Sequence, residues 1–475
     1  MTVKAKADAI DRFVRTLKSG GLYDDIQAAC VMAGWTNLAG ALYPFKGSAP
    51  TNNGFAATDL DPGLGITGRS TNFLDSNFNT NLLASQADHH ISLWLSSRNT
   101  ASGTTYPVIN YGTGTAYLRD NVTNQGVRCN SVEVLAVNDR PVGGKLYACK
   151  SESGTQHARV NGSDYSGPST PQAGSGVDYT IFGAGAALNP TFACPWYSFG
   201  TATDLAALDS AVSTLMSDLR AIDEDGFDAS ALAYIRAVEA ADGAYLETGV
   251  KQAINSFIVG LKKDNLWNAL KASAILCGAR TIAGALVPLA GTAPTAYNFI
   301  SANYNRETGL VGVPASATYI NTNRANNADG QDDNHNALYY SSVNASAGKI
   351  DIGAGGAGTG ANNFAQAGGT LFIRSRSTTS LSVGTSGHTG LGGFSRSSAS
   401  EVSYRINGTT GTSVLTSGTP SSDSVYVFGR NSGSDVMQAP TDARLAFYSV
   451  GSSLSLSALD ARVSTLVSQI AAAIP

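Results

Sequence analysis

Apolar residues recur at helical spacing from Ala7 to Leu17, where Ile10, Phe13, Val14 and Leu17 form one stripe, and again where Val250, Ile254, Phe257, Ile258 and Leu261 repeat it. Each stripe predicts an amphipathic helix. Gly20-Gly21 frees the backbone to end the first helix. A second helix is expected at about Leu22 to Ala33 and again, capped by Asp264-Asn265, at about Leu266 to Ala279. Such a pair, with small-residue faces, reads as a helical hairpin that Pro44 or Pro288 breaks. Then the period changes. Short β-favouring runs such as Ile91-Ser92-Leu93-Trp94-Leu95, Tyr179-Thr180-Ile181-Phe182 and Thr370-Leu371-Phe372-Ile373 alternate with Gly, Asn and Ser turns, which predicts an antiparallel sandwich. Each half closes with a strand, Trp196 to Gly200 or Phe447 to Gly451, and a helix carrying Leu208, Val212, Leu215 and Leu219 or Leu459, Val463, Leu466 and Ile470.

The two halves are copies. At an offset of 244, Ile254 falls on Ile10, Phe257 on Phe13, Gly278 on Gly34, Ala283-Gly284-Ala285-Leu286 on Ala39-Gly40-Ala41-Leu42, and Ala293-Pro294-Thr295 on Ala49-Pro50-Thr51. A repeat this long predicts one module written twice. The expected division is a helical hairpin over 1–51, a sandwich with its terminal helix over 52–222, a linker helix within 223–250 that Asp228 caps, a second hairpin over 251–295, and a second sandwich with terminal helix over 296–475. The two β cores should share one topology, with the 100–142 and 376–400 segments diverging as loops. The hairpin and terminal helix of each module are expected to pack together beside the sandwich, bringing Phe13 to Leu215 and Phe257 to Leu466, since neither stripe can be left in water.

Composition removes several function classes. Net charge is −4 and only 14% of residues are charged, so no basic field exists for a nucleic acid. Five cysteines, with no CxxC spacing and none aligned between copies, read as buried small hydrophobes made in a reducing compartment. Neither a signal peptide nor a membrane-spanning run is expected.

The stretch ARLAFYSVGSSLSLSALDARVSTL resembles the last strand and following helix of concanavalin A-like, laminin G-like jelly rolls, over 441–467 and again over 192–216. Together with AINSFIVGLKKDNLWNALKASAILCGARTIAGALVPLAGTAPT ahead of such a domain, the arrangement resembles structural proteins of tailed bacteriophages. The resemblance implies a mainly β protein with α, in which each of two tandem modules joins a helical hairpin to a jelly-roll sandwich and a terminal helix. It implies a virion component, on a tail, fibre, baseplate or capsid surface, whose partners are other virion proteins, further copies of itself and a host-surface glycan. Adhesion is the expected role, and the rivals are a glycan depolymerase and a plain spacer.

Candidate chemistry is sparse. A glycosidase needs two facing carboxylates. Here Glu133, Glu152, Glu307 and Glu401 find no counterpart in the opposite copy, so no enzyme is expected. The acidic loop from Asn326 to His335 offers Asp329, Asp332 and Asp333 as calcium ligands, and no other cofactor is expected. His89, aligned with His335, reads as a hydrogen-bonded structural residue. Trp94, aligned with Tyr340, and Trp196, aligned with Phe447, read as core. Tyr165, Tyr297 and Tyr304 remain as loop aromatics for a sugar.

Overall fold

The computed structural model describes residues 3–69, 71–97, 106–110, 117–120, 125–137, 143–174, 176–183, 192–344, 348–356, 360–385 and 387–474. The chain divides into two units, Met1–Gly226 with Gly243–Thr248, and Phe227–Asp242 with Gly249–Ile474. The helix expected between the modules is present, as Ala229–Asp242, and groups with the second unit. Asp228 caps it by accepting from Ser230 N at 2.8 Å.

The leading helices form as expected, over Val3–Ser19 and Thr248–Lys263. The expected second helix of each hairpin is instead a short turn and a strand. Residues Leu22–Asp25 make one helical turn, then Ile26–Val31 is a strand, and in the second unit a short 3-10 turn, Trp267–Ala269, precedes the strand Leu270–Ile275. Each leading strand lies antiparallel to the closing strand of its own unit, Trp196–Gly200 or Arg444–Gly451. A run such as Ala28-Ala29-Cys30-Val31 can be either element, and the available edge of the closing strand decides for β. Asp264 does not cap a helix, because its carboxylate binds Arg462 at 2.7 Å.

Strand order is the same in both units. In the first, one sheet runs Ser163–Pro168, Thr155–Val160, Lys145–Glu152, His89–Leu95, Trp196–Gly200, Ile26–Val31. Its counterpart runs Thr409–Val414, Glu401–Ile406, His388–Arg396, Asn334–Asn344, Arg444–Gly451, with Leu270–Ile275 on the closing strand. The facing sheets match as well, Leu135–Val137 through Thr180–Ile181 to Thr51–Asn53 answering Leu381–Thr385 through Ser424–Val427 to Thr295–Tyr297. Within 100–142 the strands Tyr106–Asn110, Tyr117–Asp120, Gln125–Arg128 and Leu135–Val137 belong to that facing sheet, and 376–400 contains the strands Leu381–Thr385 and His388–Arg396, where loops are expected from the sequence. Glycine-rich strands with weak alternation hide from periodicity.

Alternate residues of the two sheets meet in one core. In the first unit Ile91, Leu93 and Cys149 pack with Val127, Leu74 and Ile181. In the second, Leu338, Phe394 and Tyr448 pack with Ile320, Ile352 and Ile373. The other face of the first unit's first sheet, with Ala29, Trp94, Leu146 and Trp196, is covered by Phe13 and Leu17 of the leading helix and Leu208, Val212 and Leu215 of the closing helix, Leu205–Asp223. The helical layer is therefore built, and Phe13 and Leu215 share its cluster. In the second unit Phe257 meets Phe447 edge-on at 5.9 Å, as Phe13 meets Trp196 at 5.3 Å. There Gly249 abuts Ala473 and Gly260 abuts Arg462, so the leading helix and Leu456–Ala473 run antiparallel, with Phe257 and Leu466 buried between those contacts. Among the described residues no helix is long and apolar enough to cross a membrane.

Several repeated motifs prove to be joints. The left-handed Asn77 (φ 52°) donates from Nδ2 to Ala49 O at 2.7 Å and Thr51 Oγ1 at 3.1 Å, and Asn323 (φ 54°) does the same to Ala293 O at 2.8 Å and Thr295 Oγ1 at 3.0 Å. That is the use of the Ala-Pro-Thr tripeptide.

Candidate functional site

The four glutamates have no common site. Glu133 accepts from the Thr170 hydroxyl, the Ser131 hydroxyl and the Thr170 amide, each at 2.7 Å, and these bonds hold its carboxyl down to about 2. A general acid needs the opposite shift. Glu152 pairs with Lys150 at 2.8 Å, while Glu307 and Glu401 lie exposed on the other unit.

The three aspartates of the acidic loop have three destinations. Asp329 is gripped by Arg324 through Nη2 at 2.5 Å and Nε at 3.3 Å, with Arg376 at 4.0 Å. Asp333 Oδ1 accepts from Ser453 N at 2.6 Å. Asp332 Oδ1 is buried with no hydrogen-bond partner among the described residues. The backbone carbonyls of Asp329, Gly330 and Asp333, which a calcium loop would turn toward its ion, receive Nη1 of the buried Arg376 instead. Among the described residues no group of three or more His, Cys, Asp or Glu side chains is placed to hold a metal.

The aligned histidine of the first unit is His90 and not His89. His90 and His335 each face the closing strand, whereas His89 points into the sandwich core, where its Nδ1 lies 3.2 Å from Cys129 Sγ and its Nε2 2.7 Å from Tyr179 Oη. One residue of slip exchanges the two faces of a strand. Register also pairs Trp94 with Trp196 and Tyr339 with Phe447, so Trp94 answers Tyr339 and not Tyr340. Both Trp94 and Trp196 are buried, and all five cysteines are buried and free.

Of the three loop tyrosines, Tyr165 packs on the first core and Tyr304 donates to Ala279 O at 2.7 Å. Tyr297 is different. It lies on the edge strand Thr295–Tyr297, 39% exposed, with its ring stacked on Tyr319 at 4.3 Å and 7°, and Tyr319 is stacked in turn on Tyr426 at 4.7 Å. Alternation sets this row: Ile320, Val425 and Val427 point into the core, so Tyr319 and Tyr426 lie on the opposite face of the sheet, Tyr319 half-buried and Tyr426 fully buried, which leaves Tyr297 as the exposed end of the row. Tyr426 Oη donates to Asp435 Oδ1 at 3.3 Å, as does Asn431 Nδ2 at 3.1 Å. Asp435 is delivered by three successive left-handed residues, Gly433, Ser434 and Asp435, a backbone that costs free energy and persists where surroundings impose it. Burial, with the Asp435 carboxylate beside them, pushes both Tyr319 and Tyr426 upward, which keeps the hydroxyls as donors.

The same outward face continues into a cleft of about 280 Å³ lined by Ile350, Asn363, Ala365, Phe372, Arg374 and Arg430. Arg430 Nη2 donates to Gln438 at 2.9 Å, yet Arg430 Nε, Arg374 Nη1 and Asn363 Oδ1 are shielded from water without a partner among the described residues. Burial, then the charge of Arg374, depresses Arg430, and no carboxylate among the described residues of the cleft answers either guanidinium. Leaving such groups unpaired costs about 1–3 kcal/mol each. Among its described residues the first unit has no such row. Its residues at the positions matching Tyr297 and Tyr319 in register are Asn53 and Phe73.

No known protein-family profile matches the chain, and no curated protein matches it. Solved structures give distant likenesses. The receptor-binding domain of botulinum neurotoxin mosaic serotype C/D aligns at 14% identity over 40% of this chain and 50% of that one, with a TM-score of 0.31. Mouse laminin alpha1 domains LG4-5 align at 11% identity over 86% and 92%, with a TM-score of 0.21. The Trypanosoma rangeli sialidase aligns at 9% identity over 46% and 40%, with a TM-score of 0.27. What the chain's own strands establish is a mainly β protein of antiparallel sandwiches with helices packed beside them, in two units of one strand order.

Proposed function

We propose that this chain is a surface protein of a tailed-phage virion, present in several copies among other virion proteins, whose second unit adheres to host-surface glycan. The observation that carries the glycan reading is the Tyr297, Tyr319, Tyr426 row joined on one face to the Arg374 and Arg430 cleft. Pyranose rings present apolar C–H faces and hydroxyl edges, which suit an exposed aromatic beside fixed donors and acceptors. The uncompensated guanidinium pair favours a glycan bearing a carboxylate or sulfate. The reading is one of binding and not of hydrolysis, and it is supported by a cleft whose lining offers arginine and asparagine but, among the described residues, no carboxylate. The reading calls for no metal, and in the acidic loop Arg324 pairs with Asp329 while Arg376 donates to the loop carbonyls. A single shallow site is weak, and repetition over a particle would supply avidity.

A glycan array tests the reading. The chain should retain acidic host-envelope glycans, and Tyr297→Ala should lower retention at least about tenfold, while Arg374→Gln should lower it for acidic glycans and spare neutral ones. Equal retention by all three proteins would leave only the spacer role, and new reducing ends on the glycan would make the protein a depolymerase.

A further inference from the structure

Among the described residues, a surface of the first unit is left open where its twin is covered. In the second unit Ala229–Asp242 is tied to the leading helix at one end and to the turn after the leading strand at the other. At one end Asp228 N donates to Asn255 Oδ1 at 2.8 Å, and Lys262 Nζ donates to Asp228 Oδ1 at 2.7 Å. At the other, the Asp242 carboxylate accepts from Arg280 N at 2.7 Å, Thr281 N at 2.9 Å and Thr281 Oγ1 at 2.7 Å. Between them Ala231, Tyr234, Ile235 and Val238 are buried, and on the leading helix and the turn Lys251, Ile254, Ile258 and Ala279 are buried too.

The residues at an offset of 244 in the first unit are Ala7, Ile10, Val14 and Trp35. Ala7 is exposed and the other three are half-exposed. Ala7, Ile10, Gly34, Trp35 and Leu219 line a cavity of about 590 Å³. The groove also keeps both end markers of its twin. Lys18 stands where Lys262 meets Asp228, and Thr36 and Asn37, exposed, stand where Arg280 and Thr281 offer their amides to Asp242.

We propose that this groove seats a helix of the same kind, supplied by another polypeptide: a short amphipathic helix with an Ala, Tyr, Ile and Val face, an aspartate at its start to meet Lys18, and an Asp-Gly end whose carboxylate caps Thr36 and Asn37. The occupant's chemistry is read from the helix already seated on the equivalent surface, and it is independent of the glycan reading.

The test uses the full chain and a fluorescent peptide of residues 227–243, FDASALAYIRAVEAADG. Saturable one-to-one binding is expected, at least about tenfold weaker in Ile10→Glu, because one aliphatic contact is lost and a charge is placed in the groove. Ala7→Arg, at an exposed position, should weaken it similarly with unchanged melting, and Asp242→Asn in the peptide should weaken it severalfold. No saturable binding would overturn the proposal. So would binding indifferent to Ile10→Glu and Ala7→Arg, which would place the peptide on the second unit in exchange for its resident helix. Self-association of the chain that Ile10→Glu abolishes, without peptide binding, would also overturn it by making the occupant a second copy.

Discussion

His335 Nε2 lies 2.8 Å from Ser449 Oγ while its Nδ1 lies 2.6 Å from Ser452 O, and His90 repeats the pair with Ser198 at 3.0 Å and Thr201 O at 2.5 Å. In each unit Nδ1–H donates to the carbonyl just past the closing strand, and Nε2 accepts from the serine hydroxyl. The imidazole thus ties the closing strand, at the point where the chain turns into its closing helix, to the strand beside it.

Both imidazoles are neutral in the folded protein, because burial pushes each down to about 4. The unfolded chain therefore binds more protons between that value and about 6.5. Stability is expected to be intact above pH 6.5 and to fall as pH drops through about 4, by up to about 3 kcal/mol per histidine. Urea midpoints between pH 7.5 and 4 check this, and the slope should shrink in His90→Gln with His335→Gln. A flat wild-type profile across that window would contradict the assignment.

Gly200 and Gly451 end the closing strands where a bulge in the leading strand crosses them, at Ile26/Ala28 and Leu270/Ala272. A Cβ there would meet Asp25 O or Ala269 O at 1.9 Å. Gly451→Ala should cost about 3 kcal/mol or prevent folding, whereas Gly226→Ala, with open space but a φ of 79°, should cost only about 1 kcal/mol. Equal losses in chemical denaturation would show that the strand contact is not what requires glycine.

Asn323→Ala should destabilise by about 2 kcal/mol, since it loses both the left-handed allowance and the bonds to Ala293 and Thr295. Asn323→Gly should lose about half as much. Identical midpoints for the two variants would mean that the left-handed backbone contributes nothing, and an Asn323→Gly midpoint equal to that of the wild type would mean that the side-chain bonds contribute nothing.

Arg376, buried among the carbonyls of the acidic loop, should resist simple deletion. Arg376→Ala is expected to cost about 3–5 kcal/mol by stranding the groups it pairs. Calcium or a chelator should leave the melting temperature of the wild-type chain unchanged. A rise of several degrees with calcium would restore Asp329, Asp332 and Asp333 as ligands.

The sequence by itself determined what is local or repeated. Helical stripes announced the leading and closing helices, because a 3.6-residue period needs no partner to be visible. The offset of 244 announced two modules of one topology, and the need to cover Phe13 and Leu466 announced the helical layer. Tertiary structure alone decided the rest. The run from Ile26 to Val31 is a strand because a closing strand some 170 residues away presents an edge to it, a partner absent from any local window. The choice between His89 and His90 turned on register, where one residue exchanges core for interface. The tyrosine row joins positions 297, 319 and 426, and the cleft joins 363, 374 and 430. Such sites are made by neighbouring strands, so their residues are close in space only after the sheet has set its strand order.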